Sequence, residues 1–330
     1  MKIFITGATG YVGTRLVPEL LKYNHDITCL LRKPESHAKN TILKQCKIIK
    51  GDITDRESLR HLLDNMEVVI HLGVSTPLTN KMDDYAIYRG INVLGTKNIL
   101  EECLASKPKR ILCFSSTAAI GIPPVKCIDE ETHLQPINRY GQSKKEAEEL
   151  IFSYVQKYQL PILTICFPHI YGPGDIHDFF LIIKLLKKGI LPQIGFKANL
   201  LPLVYISDAI DAILLALTKG REGEKYIIAD DDPHDIRNIR KLVWYAFGLN
   251  RKYYPFIPKY LGIIGAYMIE RFFAIIGSTP PVTVKNIKSI AAGRCISIEK
   301  AKRELDFEPK TNIEQGIQTS IDWYKKVKLL

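Results

Sequence analysis

The first thirteen residues, MKIFITGATGYVG, restrict the fold more than any other stretch of the chain. Ile3, Phe4 and Ile5 form an apolar run too short for a helix. Residues 6–10 interrupt it, and an amphipathic segment continues over residues 11–22. The pattern predicts a strand, a tight turn and a helix. Glycines at 7, 10 and 13 suit three separate needs: the turn, close approach of backbone to a pyrophosphate, and packing of helix against strand. The helix N-terminus would point unpaired amides and a positive dipole end at phosphate oxygens. Glycine triplets also mark ordinary turns, so a nucleotide site needs support from residues further along the chain.

A second strand is predicted over Asp26–Leu31, ending in Arg32-Lys33-Pro34. Dinucleotide folds place an acid near this point to hold ribose hydroxyls, or an Arg to meet a 2′-phosphate. A basic Arg32 favours NADP(H) over NAD, the alternative being a solvated strand-end charge. The third strand, Lys47–Lys50, ends in Gly51-Asp52-Ile53-Thr54, where Asp52 suits an adenine amine or caps the next helix. The fourth, residues 67–72, runs into Gly73-Val74-Ser75, small enough for a flat cofactor to lie against the backbone. A helix over residues 85–105 carries Asn92 inside an apolar stripe, where a structural hydrogen bond is the plain account. The fifth strand, 110–114, leads to the hydroxyls of Ser115, Ser116 and Thr117, at the sheet edge where open α/β folds bind ligands.

After a loop containing Pro123, Pro124 and Pro136, a helix begins near Arg139. Tyr140 and Lys144 stand four apart and share a face of it, so the ammonium can lower the phenol's pKa and fit it for proton transfer. Y-x-x-x-K is common by chance. Behind a glycine-rich first turn and a hydroxyl cluster, it becomes specific.

Taken together, these motifs resemble an extended short-chain dehydrogenase/reductase of the NAD-dependent epimerase/dehydratase superfamily. The likeness is carried by residues 6–13, Gly51-Asp52-Ile53-Thr54, the HLGV at His71 to Val74, Asn92, Ser115-Ser116-Thr117, Tyr140 with Lys144, and the PHIYGPG at 168–174. It continues more loosely through 204–209 and 298–305. The resemblance implies an α/β fold: a Rossmann doubly wound parallel sheet with a smaller C-terminal substrate domain. Residues 1–170 would be mainly dinucleotide-binding and 171–330 mainly substrate-binding, with 200–230 returning to the sheet. It implies a catalytic Thr117 (or Ser116, one residue away in register), Tyr140 and Lys144. NAD(P) would be held by Gly7, Thr9, Gly10, Tyr11, Val12, Gly13, Arg32, Asp52, Ile53, Leu72, Gly73, Ser115, Tyr140, Lys144, Pro168 and His169.

Two departures bear on substrate. Phe167 stands where many members carry Arg before the Pro, and no Arg precedes Val204-Tyr205, where sugar-nucleotide enzymes of the family commonly have one. Both point towards the 3β-hydroxysteroid dehydrogenase and dihydroflavonol reductase branch, hence a secondary alcohol or ketone on an apolar steroid-, terpenoid- or flavonoid-like molecule. The alternatives are a nucleotide-sugar epimerase or dehydratase using the same site, and a non-catalytic dinucleotide sensor, against which an intact Thr117, Tyr140 and Lys144 speak.

Residues 207–219 form a predicted helix capped by Ser207, and 225–229 a strand. From 256 to 277 the chain is apolar except for Lys259, Glu270 and Arg271, which fits core packing, a lid over an apolar substrate, or an interfacial membrane contact. The tail around Trp323 and Tyr324 reads as a closing amphipathic helix. Lys and Arg exceed Asp and Glu by eleven, scattered along the chain. Such a surface is simply solvated or faces an anionic ligand or membrane; with no nucleic-acid motif beside it, a nucleic-acid partner is not expected. Seven cysteines show no C-x-x-C and no metal-ligand spacing, and read as reduced core residues of a cytoplasmic protein without a metal. No signal-peptide layout and no run of about eighteen apolar residues is present. A small-molecule substrate is the expected partner, with a homodimer left open.

Overall fold

A computed structural model describes residues 1–37, 40–77, 83–176, 178–276, 280 and 282–330. Seven strands build the main sheet: β1 (Lys2–Thr6), β2 (Asp26–Leu31), β3 (Lys47–Lys50), β4 (Val68–His71), β5 (Arg110–Ser116), β6 (Ile162–Phe167) and β7 (Lys225–Ile227). Their spatial order is β7-β6-β5-β4-β1-β2-β3, every neighbouring pair parallel. The order reverses between β1 and β4, which opens a crevice at their carboxyl ends.

Strands buried on both faces need apolar residues at successive positions, and alternate side chains go to opposite sides. Ile3 and Ile5 join one core with Leu16 and Leu20 of helix α1 (Gly13–Lys22) and Ile213 of the helix Ile206–Lys219. Phe4 joins the other, with Ile99 and Leu100 of the helix Thr96–Ser106 and Ile151 and Tyr154 of the helix Arg139–Tyr158, the Tyr140 helix.

The predicted helix over 85–105 is three stretches: Tyr85–Tyr88 and Thr96–Ser106 are α-helical, and Arg89–Gly95 between them is a π-helix. Ser207 is not a cap. The helix begins one residue earlier, at Ile206, with Tyr205 in the cap position and no side-chain capping bond, because the preceding strand Leu203–Tyr205 feeds straight into it.

Beyond the sheet, the helices Asp178–Lys188, Ile236–Ala246 and Ile313–Lys326 bury Phe179, Ile183, Val243, Ile317 and Ile321 together with Tyr171 and Leu203. A further cluster joins Ile194, Ala266, Ile287 and Ala291 between the helices Lys259–Ile275 and Val284–Ala292. Most of the large side chains of Lys259–Ile275 face outward, so core packing does not describe this run; its last residue, Gly277, lies outside the described residues.

One cysteine expectation is overturned. Cys127 and Cys295 form a disulfide, while Cys29, Cys46, Cys103, Cys113 and Cys166 are free thiols. Two short strands, Cys127–Ile128 and Cys295–Ile296, pair in parallel and set the two Cα atoms 4.5 Å apart.

Candidate functional site

The glycine loop sits in the crevice between β1 and β4. Gly7 has φ +74°, and a Cβ there would lie 2.6 Å from the Leu72 carbonyl carbon and 2.8 Å from the Gly73 nitrogen. Glycine is thus required twice at this position, for the left-handed turn and for contact with the backbone leaving β4. A Cβ at Gly13 would collide with the Gly7 carbonyl, so the third glycine seats α1 on the turn. Gly10 is exposed and donates its amide to Gly7 O at 3.0 Å. No side chain caps α1, and no acid stands in its first turn. Bare backbone, a positive helix end and no competing carboxylate fit the pyrophosphate of a dinucleotide.

The Tyr11 ring packs against the 168–174 segment, next to Gly172 and Gly174. Its hydroxyl is buried, and burial with Asp175 nearby pushes the phenol far up. Gly174, φ +97°, leaves room for the ring, and Arg15 donates to Pro173 O at 2.8 Å. Pro168 and the exposed His169 lead into this turn from the end of β6. The glycine loop and the segment after β6 are therefore one packed unit.

The carboxyl end of β4 is fixed by a hydrogen-bond chain through His71. Gly73 N–H donates to Thr6 Oγ1 at 3.0 Å, Thr6 Oγ1 lies 2.7 Å from His71 Nδ1, His71 Nε2 lies 3.1 Å from Thr96 Oγ1, and Thr96 donates to Asn92 O at 2.7 Å. Only one tautomer satisfies every member: Thr6 donates to Nδ1, and Nε2–H donates to Thr96. Burial, with Lys144 nearby, lowers the imidazole to about 3, so it is neutral.

Asn92, inside the π-helical stretch, accepts from Ser75 N at 2.7 Å and donates to Ser75 O at 3.0 Å and to Ser143 Oγ at 2.9 Å. Ser143 in turn donates to Tyr140 O at 2.7 Å. One amide thus ties the loop after β4 to the start of the Tyr140 helix.

That start is held tightly. Asn138 caps it, accepting from Gly141 N at 2.7 Å, and a Cβ at Gly141 would overlap the Ala118 carbonyl of the short helix Thr117–Ile120. Tyr140, next to Gly141, is thereby brought against the Thr117 segment, its ring 5.8 Å from that of Tyr88. Lys144, one turn on, is buried and donates to Phe114 O of β5. Burial lowers its ammonium to about 8, against an opposing pull from Cys166, Cys113 and Glu148.

The three hydroxyls go different ways. Ser115 donates to Glu148 at 2.6 Å, and Glu148 also pairs with Lys225 at 2.7 Å. Ser116 accepts from Ala118 N at 3.2 Å as the cap of the short helix, and Thr117 is its first, buried residue. Asp52 accepts from both Thr54 N and Thr54 Oγ1 at 2.9 Å, closing a turn, not capping a helix. Ile53 packs against Gly73 and Gly95, and Arg32 is exposed just past the end of β2. His71, Thr6, Thr96 and Ser143 were not singled out by sequence as site residues. Thr6 and His71 stand within quoted motifs, Thr96 is a polar residue in an apolar helical stretch, and Ser143 carries no signal of its own.

The family model for the NAD dependent epimerase/dehydratase family matches residues 3–229. The sterol-4-alpha-carboxylate 3-dehydrogenase (decarboxylating) of Candida albicans is 26% identical over 341 residues, covering 97% of each chain. The dTDP-D-glucose 4,6-dehydratase of Dictyostelium discoideum is 29% identical over 255 residues, covering 70% of this chain and 58% of its own. Among solved structures, the UDP-glucose 4-epimerase of Thermotoga maritima superposes with a TM-score of 0.79 at 20% identity, over 99% of this chain and all of that one, a likeness of fold.

Proposed function

The chain belongs to the NAD-dependent epimerase/dehydratase family of extended short-chain dehydrogenases/reductases, and from that premise we propose that it interconverts a secondary alcohol and a ketone on an apolar, ring-containing substrate. Phe167 is the observation that carries this choice. Its buried ring stacks on Phe114 at 6.1 Å, so the position before Pro168 offers no cation to a diphosphate. Leu201 and Pro202 precede the Leu203–Tyr205 strand, again without an arginine.

Gly7, Gly10, Gly13 and the amides opening α1 would hold the pyrophosphate, Leu72 and Gly73 the nicotinamide side of the crevice, and Lys144 the ribose. When bound, NAD(P) supplies or takes up hydride. In the reducing direction Tyr140 gives its phenolic proton to the carbonyl oxygen, Thr117 hydrogen-bonds that oxygen, and the Lys144 charge lowers the phenol's pKa. Asn92 and Ser143 keep Tyr140 in place. Arg32 favours NADPH: Arg32→Ala should weaken NADPH binding by roughly tenfold or more and leave NADH unchanged, since a charge-assisted contact contributes ~1.5–3 kcal/mol. We further propose that the substrate is taken up at a membrane surface.

The nucleotide-sugar relative gives a second reading, epimerisation or dehydration at the same site. Incubation with ketosteroids, flavonoid ketones and nucleotide sugars, followed by NADPH absorbance and product mass, separates the two. Turnover of a nucleotide sugar without net change in NADPH would replace the first reading by the second.

A further inference from the structure

The helix Lys259–Ile275 is inside out. Its small residues Gly262 and Ala266 are buried, Gly262 against Ile287, while Tyr260, Ile264, Tyr267, Met268, Phe272 and Ile275 are exposed. At about 100° per residue these six fall within one stripe, interrupted only by Arg271. Exposure is large: 56% at Tyr267, 84% at Ile275. The connecting segments add Tyr253 at 89% and Phe196 at 86%, the latter ring 4.9 Å from Phe256. Solvated monomers rarely leave so much contiguous apolar surface open.

A cluster of cations stands a few residues upstream of the two paired strands that lead to this helix. Lys184, Lys187, Lys188 and Arg251 line one open cavity of about 410 Å³ with Leu249, Leu329 and Leu330, and Lys252 follows Arg251. Among the described residues none of the five cations enters an ion pair. From Lys188 the chain reaches the strand Gln193–Ile194, and from Lys252 the strand Phe256–Ile257. The two strands pair, and the second leads directly into the helix.

We infer that this face docks on an anionic lipid bilayer, with the helix lying in the plane of the interface and the lysine–arginine cavity receiving phosphate-bearing headgroups. For the nature of the cargo this rests on the apolar-substrate reading. No helix among the described residues is long and apolar enough to cross a membrane. Burial of the stripe to the depth of the acyl boundary supplies the apolar part of the attachment, and the cations supply the charge part, Lys184 and Lys187 standing over the rings of Phe180 and Phe247. Arg271 can reach headgroups from within the stripe.

Flotation with phosphatidylcholine and phosphatidylcholine/phosphatidylserine vesicles tests the inference. The protein should float with the phosphatidylserine vesicles and be released by high salt. Ile264→Ser with Phe272→Ser should weaken attachment by about a hundredfold without lowering Tm, as both side chains are already exposed. Lys184→Ala with Lys188→Ala should cost on the order of twentyfold at low salt. Failure to float with either vesicle overturns the docking, equal flotation with both overturns the headgroup site, and a dimer that the Ile264/Phe272 variant turns into monomer assigns the face to a second copy. Turnover of a detergent-dispersed ketone should be unchanged in both variants. Its absence in the parent protein would remove the assigned reaction and leave the docking standing.

Discussion

Tyr140→Phe keeps the ring beside Tyr88 and removes only the hydroxyl. Turnover should fall by about a hundredfold or more while cofactor affinity, measured by fluorescence titration, stays within a few-fold; retained turnover would take the proton-transfer role away from Tyr140. Lys144→Met should lower both, because in the proposed mechanism the ammonium serves phenol and ribose alike. His71 makes a prediction about stability. Its folded pKa of about 3 lies below the ordinary 6.5, so between those values the unfolded chain binds a proton that the folded one refuses. The contribution is complete above about pH 6.5 and is lost as pH falls towards 3, by on the order of 5 kcal/mol. Urea midpoints across that window should flatten in His71→Gln. Tyr140 and Lys144 were legible because their relation is local, four residues on one helix. His71 belongs to the HLGV motif, yet its role was hidden because Thr6 and Thr96 stand 65 and 25 residues away.

At the level of elements, the contact between the Tyr140 helix and Thr117–Ile120 tolerates no side chain at position 141. The obstacle is a backbone carbonyl, which cannot swing aside as a side-chain tip would. Gly141→Ala should therefore displace Tyr140 and lower kcat more than tenfold while cofactor binding at the distant glycine loop persists; a variant with parental kcat would show that the two helices can separate freely. The strands of the sheet could be read from sequence because burial on both faces imposes unbroken apolar runs. The π-helical turn at Arg89–Gly95 could not, since its hydrogen-bond slip leaves the apolar periodicity of the surrounding helix nearly unchanged. The Ser207 cap failed for a related reason: residue type favours a cap there, but the strand that ends at Tyr205 decides where the helix starts.

On the scale of the whole molecule, the disulfide joins the loop between Thr117 and Tyr140 to the segment before the helix Glu299–Leu305. Denatured without reductant, the protein should titrate five thiols, and with reductant followed by its removal seven; seven in both would mean that the pair is not bonded. Nothing in the cysteine spacing announces it, because the partners are 168 residues apart and meet only once both short strands have formed. The bond also divides the chain mechanically. Drawn out by its two ends, the oxidised protein can yield only the residues outside the ring, and the 168-residue interval, nominally ~570 Å of extended chain at ~3.4 Å per residue, stays slack behind the bridge. Tyr140, Lys144, β6, β7 and the whole inside-out helix lie in that sheltered interval, whereas the glycine loop and the tail bear the load. Threaded from its N-terminus the protein would give up the glycine loop first, and from its C-terminus the helix Ile313–Lys326, and either way Tyr140 stays beyond reach of the pull.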